Sequence, residues 1–196
     1  MECVVYAAAL ADWAGVDVEA ARALLPAARF DRFVRENTQQ QRRTLAAYGL
    51  LRLGVRRFLK LDALPEIDCG KLGKPYFAAY PAFCFSVSHT EGLALCAFDA
   101  FPVGVDAEHI EPVRPERARR LFLCAESAAF FDGWTERESR IKRRGGSALA
   151  CRSAVVPEPS EYVQRLPLGA DYAGVLCRSL NGPARLVWYA PDTLFP

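Results

Sequence analysis

The chain has 196 residues, 52% of them hydrophobic, and a formal net charge of +2. That apolar content suffices for a buried core and excludes a disordered chain. The near balance of charge removes any bulk electrostatic case for nucleic-acid binding.

No apolar run approaches the ~20 residues of a membrane span. The opening Met1-Glu2-Cys3-Val4-Val5-Tyr6 has neither the basic start nor the apolar core of a signal peptide. Seven cysteines, Cys3, Cys69, Cys84, Cys96, Cys124, Cys151 and Cys177, are scattered without a C-x-x-C pair. An odd number without metal-ligand spacing is expected to stay as free thiols in the reducing cytoplasm.

Residues 4–10 read as a short apolar first strand. Asp17 is the expected N-cap of a helix over residues 18–25, which Pro26 interrupts. Residues 27–35 carry Arg29, Arg32 and Arg35 at three-residue spacing, close together on a helix; a solvated basic face fits them as well as an anion site does. Thr38-Gln39-Gln40-Gln41 has the form of a capping box opening a long helix. Tyr48, Leu51, Val55 and Phe58 make its apolar stripe, and Arg42 and Arg43 sit off that stripe in the first turns.

From Pro65 to Pro81 the chain turns irregular. Within it, Lys71-Leu72-Gly73-Lys74-Pro75 joins a glycine that permits close backbone approach, a cation and a stiffening proline, although most such triplets are only turns. Strands are expected at residues 83–88 and 93–98, joined as a hairpin by His89-Thr90-Glu91-Gly92. A third run, residues 103–108, puts Asp106 and Glu108 on one strand face. Carboxylates that close repel; an intervening divalent cation resolves the repulsion, as does a strand end that faces solvent.

Residues 115–131 read as helical, with Glu126 flanked by Phe122, Phe130 and Phe131. A second helix carries Trp134, Glu138, Ile141 and Lys142. The i, i+4 pairs Trp134–Glu138 and Glu138–Lys142 share one face, so carboxylate and ammonium lie side by side; a surface ion pair would look the same. Arg143-Arg144-Gly145-Gly146 ends this helix with cations and a glycine terminator. Three short strands follow, at 152–156, 172–178 and 184–190, the last two linked by a turn at Asn181-Gly182-Pro183. Residues 1–100 and 101–196 each hold helix and strand, with no linker between them. The expected architecture is one α+β molecule of two packed subdomains.

Four segments together resemble the 4'-phosphopantetheinyl transferases, in particular the longer, surfactin-synthetase-type members. They are Gly73-Lys74-Pro75; Phe85-Ser86-Val87-Ser88-His89; Gly104-Val105-Asp106-Ala107-Glu108; and the run Trp134-Thr135-Glu136-Arg137-Glu138-Ser139-Arg140-Ile141-Lys142. The resemblance implies two similar pseudo-symmetric subdomains, each a small, mostly antiparallel sheet packed with helices, and an active site at their junction in a monomer. It implies transfer of the 4'-phosphopantetheine arm of coenzyme A to a serine of an apo acyl or peptidyl carrier protein, releasing adenosine 3',5'-bisphosphate. Mg²⁺ would be held by Asp106, Glu108 and Glu126, with Glu116 and Glu136 as alternatives to the third. Glu138 would deprotonate the serine, and Lys142 would hold the pyrophosphate. Ser88 and His89 would meet coenzyme A phosphates, His89 together with Arg43, Arg29 and Arg32, while Gly73, Lys74 and Pro75 would border the adenine.

The chain departs from the pattern in two places. Arg137 stands where the motif has lysine, so a planar fork replaces a point charge, and only seven residues separate Glu126 from Trp134. A relative that binds coenzyme A or a carrier protein without turnover is the main alternative; the presence of Asp106, Glu108, Glu138 and Lys142 together argues against it. A nucleic-acid module built on the first-half arginines lacks the basic charge and interleaved aromatics it needs. Fatty-acid, polyketide and nonribosomal peptide carriers all fit, and the oxygen ligands suit Mg²⁺ and Mn²⁺ alike.

Overall fold

The computed structural model describes residues 1–10, 18–114, 116, 122, 124, 126–146, 155–179, 182–190 and 193. In chain order these form β1 (Val4–Ala9), α1 (Val18–Leu24), α2 (Ala27–Phe33), α3 (Thr38–Leu59), β2 (Asp68–Cys69), β3 (Pro75–Tyr76), β4 (Cys84–Thr90), β5 (Leu93–Asp99), β6 (Val103–His109), α4 (Ser127–Arg143), β7 (Tyr162–Arg165), β8 (Tyr172–Arg178) and β9 (Arg185–Trp188). The result is α+β, with sheets ordered β4-β5-β1-β9, β2-β3 and β6-β8-β7.

The four-stranded sheet is covered on both faces. Alternate residues of a strand point to opposite faces, and β1 divides accordingly. Val4, Tyr6 and Ala8 join the core under α3, with Leu45, Leu50, Val55, Phe33 and Phe98. Cys3, Val5 and Ala7 join a second core with Val103, Val105 and Leu176. Such two-sided burial explains why β5 is buried along its whole length.

The expected helices at 18–25 and 27–35 are present, with Asp17 outside the described residues. The capping box of α3 lies one residue earlier than the sequence pattern indicates: Asn37 Oδ1 accepts from Gln40 N at 2.9 Å, and Gln40 Oε1 accepts from Asn37 N at 3.3 Å. Asn37 takes the extended backbone that a cap requires, which leaves Thr38 as the first helical residue.

The β4–β5 ladder runs through Thr90↔Leu93, so the hairpin connection is only Glu91-Gly92, and His89 and Thr90 belong to the strand. Gly92 has φ +73°, the left-handed backbone that two-residue hairpin turns demand. Helix α4 is continuous from Ser127 through Trp134, without the break expected after Phe131. The earlier part of the expected 115–131 helix lies largely outside the described residues, as do Asn181 and residues 152–154.

Two corrections concern the last strands. Residues 155 and 156 are not strand, whereas Tyr162–Arg165 pairs with β8. Strand β9 forms no hairpin with β8; it pairs parallel with β1. There Val187 packs on the first core and Leu186 on the second, a burial that a hairpin with β8 would not give. A buried ion pair ties the sheets together: Arg178 Nε and Nη2 lie 2.9 and 2.8 Å from Asp99 Oδ2, at the end of β5.

Candidate active site

The site begins at a glycine. On β6, Gly104, Asp106 and Glu108 share a face, while Val103, Val105 and Ala107 fill the core. A Cβ at Gly104 would lie 2.0 Å from the Ser139 carbonyl oxygen and 2.4 Å from Arg143 N. Only glycine lets α4 settle this closely on β6. That contact delivers Glu138 and Lys142, one helical turn apart, to the carboxylates of the strand.

Lys142 Nζ lies 2.6 Å from Asp106 Oδ1 and donates to Ser88 Oγ at 3.1 Å. Ser88 Oγ donates to the same Asp106 Oδ1 at 2.9 Å and accepts from Ala107 N at 3.2 Å. A hydroxyl has one donor and two acceptor positions, so Ser88 is fully engaged. The other Asp106 oxygen, Oδ2, is buried without a hydrogen-bond partner.

Glu138 is 2% exposed, and neither of its carboxylate oxygens has a hydrogen-bond partner. Burial, then the charge of Asp106, raises its pKa above the ordinary glutamate value; Lys142 and Arg137 oppose this. Such an orphaned buried carboxylate costs stability, a cost found at functional sites. Glu108 accepts from Thr90 Oγ1 at 3.1 Å, and its pKa is also raised, first by burial and then by Asp106. The acidic pair of β6 is therefore half resolved by Lys142, a cation that sequence distance hides.

A second group of residues gathers at the start of α3. Arg29, Thr44, Tyr48, Pro75 and His89 line a cavity of about 140 Å³. Arg29 Nη2 pairs with Glu36 at 2.9 Å, while its Nη1 and Arg43 Nε are buried without hydrogen-bond partners. His89 is exposed, but the protein packed round it lowers its pKa, and Lys142, Arg43 and Arg29 add to the effect. The unspent Nη1 of Arg29, at a wall that His89 shares and with Arg43 close enough to act on that imidazole, suits this cavity to an anion. Arg32 stands apart, its side chain 78% exposed and 3.8 Å from Glu36.

Gly73 has φ +89°, placing Lys74 so that its Nζ donates to Val103 O at 2.6 Å. Burial and the neighbouring Lys142 and Arg143 pull its pKa down to about 8, against an opposing effect of Cys84. Lys74 and Pro75 line a further cavity of about 280 Å³ with Tyr76, Phe85 and Arg143. Thus the Gly-Lys-Pro turn borders both the anion cavity and the β6–α4 junction.

Glu126 occupies the exposed N-cap position of α4 and makes no side-chain capping bond. Among the described residues no three His, Cys, Asp or Glu side chains are grouped to hold a metal by themselves. Mg²⁺ does not require such a group, since it usually binds one or two carboxylates together with substrate phosphates and water. The unpartnered Asp106 Oδ2, beside Glu108, suits that role.

The sequence reading missed Ser86, Thr90, Thr44 and Glu36. Thr44 Oγ1 donates to Glu36 Oε2 at 2.9 Å and accepts from Arg29, which fixes the arginine at the cavity wall. The signal for the first two was the alternation Ser86-x-Ser88-x-Thr90. Their hydroxyls accept from Val105 N, Ala107 N and His109 N at 3.0, 3.2 and 3.0 Å. Each such amide would otherwise cost about 1–3 kcal/mol if left buried and unsatisfied.

No family model matches the chain. It is 31% identical over 116 residues to 4'-phosphopantetheinyl transferase Sfp of Bacillus subtilis (strain 168), a match covering 53% of this chain and 52% of that protein. It is 37% identical over 103 residues to 4'-phosphopantetheinyl transferase AcpT of Salmonella typhi, covering 45% and 54%. To 4'-phosphopantetheinyl transferase psf-1 of Bacillus pumilus it is 32% identical over 142 residues, covering 64% and 61%. The chain spans about half the length of the curated relatives it matches. Over these segments the chain is thus similar to curated 4'-phosphopantetheinyl transferases, an enzyme class.

Proposed function

We propose that this chain transfers the 4'-phosphopantetheine group of coenzyme A to a serine hydroxyl of an apo acyl or peptidyl carrier protein. The observation that carries the proposal is Glu138: a buried, unpartnered carboxylate one turn before a lysine that is itself bound to a strand carboxylate. A merely structural glutamate in that position would have acquired a hydrogen-bond partner.

Glu138 takes the proton from the serine hydroxyl as its oxygen bonds to the pantetheine-bearing phosphorus. The bond from that phosphorus to the bridging oxygen breaks, and adenosine 3',5'-bisphosphate leaves with the electron pair. The raised pKa makes Glu138 a stronger base than an ordinary glutamate. Lys142 swings between Asp106 and the pyrophosphate, offsetting charge on the leaving oxygen. Arg29, Arg43 and His89 hold the 3'-phosphate, with Arg32 approaching from solvent. Gly73, Lys74 and Pro75 flank the adenine. Ser88 meets a phosphate only by giving up one of its present bonds.

Asp106 and Glu108, with Glu126 as third ligand, would hold Mg²⁺. When bound, the ion neutralises pyrophosphate charge as a Lewis acid. A cavity of about 580 Å³ beside Glu108, walled by Val113, Phe130, Phe131 and Trp134, suits the pantetheine arm. Two pseudo-equivalent halves meeting at β4, β6 and α4 would complete the site within one chain, as a cytoplasmic monomer. Among the described residues no helix is long and apolar enough to cross a membrane, and Cys3, Cys69, Cys84, Cys96 and Cys177 are free thiols. Chromatographic detection of adenosine 3',5'-bisphosphate, released only when an apo carrier is added to coenzyme A, tests the reaction. Release without carrier, or none with any carrier, would refute it.

A further inference from the structure

Strand β4 closes one edge of the four-stranded sheet, and β6 closes one edge of the three-stranded sheet. The two are not joined by a backbone ladder. Three hydroxyls at period two on β4 meet three amides at period two on β6: Ser86 with Val105, Ser88 with Ala107 and Thr90 with His109. Because both strands repeat every second residue, a slip of one residue would set hydroxyls against side chains and orphan all three amides. The ladder therefore fixes the register of β6 against β4.

Two of the hydroxyls do more. After accepting from β6 amides, Ser88 donates to Asp106 Oδ1 at 2.9 Å and Thr90 donates to Glu108 Oε2 at 3.1 Å. Each hydroxyl is thereby held by the backbone of one residue and orients the carboxylate next to it. We propose that Thr90 is a positioning residue that aims Glu108 at a divalent cation, as Ser88 aims Asp106. This rests on the reading above that these carboxylates face a metal. Hydrogen bonds that orient metal-ligating carboxylates typically tune metal affinity by roughly 10–100-fold when removed. Thr90 is 8% exposed, so solvent offers little replacement for its hydroxyl.

The test is Mn²⁺ titration in the presence of coenzyme A, with free Mn²⁺ followed by electron paramagnetic resonance, on wild type, Thr90→Val and Thr90→Ser. Melting temperatures are recorded alongside. The expected result is a roughly 10–100-fold loss of Mn²⁺ affinity in Thr90→Val and affinity near wild type in Thr90→Ser, which keeps the hydroxyl. Wild-type affinity in a folded Thr90→Val, or no rescue by Thr90→Ser, would overturn the positioning role while leaving the metal reading intact. If Thr90→Val does not fold, Thr90→Ser with lowered affinity would equally overturn it. A wild-type protein that binds no Mn²⁺ would overturn the metal reading and this inference together.

Discussion

Lys142 Nζ lies 2.6 Å from Asp106 Oδ1, bringing the end of α4 onto a strand 36 residues earlier in the chain. The same ammonium lowers the pKa of Glu138. One cation thus serves two carboxylates that would otherwise repel each other.

Lys142→Ala removes that shared charge. A neighbouring ammonium favours the ionised carboxylate, so its loss drives the Glu138 pKa higher still. The acid limb of the kcat–pH profile is expected to move to higher pH while the maximum rate falls. A limb that stays in place would show that Lys142 does not act on the base.

Glu138→Gln is expected to lower transfer by roughly 10²–10⁴-fold, the range for a positioned general base, and to raise stability. The folded-state pKa of Glu138 is above its unfolded value, so the ionised group opposes folding. This cost is absent below the unfolded pKa and develops as pH rises through the folded one. Each gain of about 1 kcal/mol would raise the melting temperature by about 2–4 °C, with the difference from wild type disappearing in acid. Calorimetry across pH checks the sign.

Arg43→Ala removes a buried, unpartnered donor whose charge acts on His89. KM for coenzyme A is expected to rise roughly tenfold or more, the loss of one charge-assisted hydrogen bond. KM for the analogue lacking the 3'-phosphate should hardly change. Equal effects on the two substrates would move Arg43 away from that phosphate.

Glu161, whose side chain has no exposed surface, accepts from Arg140, Arg143 and Arg144 at the end of α4. Burial alone would raise its pKa, but the Glu158 amide, Arg144 and Arg140 outweigh it, and the net shift is downward. Its contribution to stability is present above the unfolded pKa and lost as pH falls through the folded one. Glu161→Ala is expected to cost about 3 kcal/mol near neutrality, since it breaks a buried charge cluster, and less in acid. Urea unfolding at two pH values measures both.

The parts of the molecule legible in the sequence are those with a local period. The α3 stripe of Leu51 and Val55, the shared face of Asp106 and Glu108, and the turn between Glu138 and Lys142 all follow from fixed spacing along one element. The Lys142–Asp106 bond, the Thr90–Glu108 bond and the Arg178–Asp99 pair join residues 36, 18 and 79 positions apart. No period links such partners, because tertiary crossing alone decides them. The parallel pairing of β9 with β1 was hidden for the same reason: a four-residue apolar strand carries no mark of its neighbour. Even so, Gly104 was a clue, since a glycine amid a buried strand marks close backbone approach.

Intact-mass spectrometry of apo carrier proteins incubated with this protein, coenzyme A and Mg²⁺ decides whether the phosphopantetheine arm is transferred. Parallel reactions use Glu138→Gln and EDTA. The expected result is the mass gain of one phosphopantetheine arm on at least one carrier class, lost in both parallel reactions. A full gain with Glu138→Gln, or no gain on fatty-acid, polyketide or nonribosomal peptide carriers despite tight coenzyme A binding, would rule out transfer with Glu138 as the base.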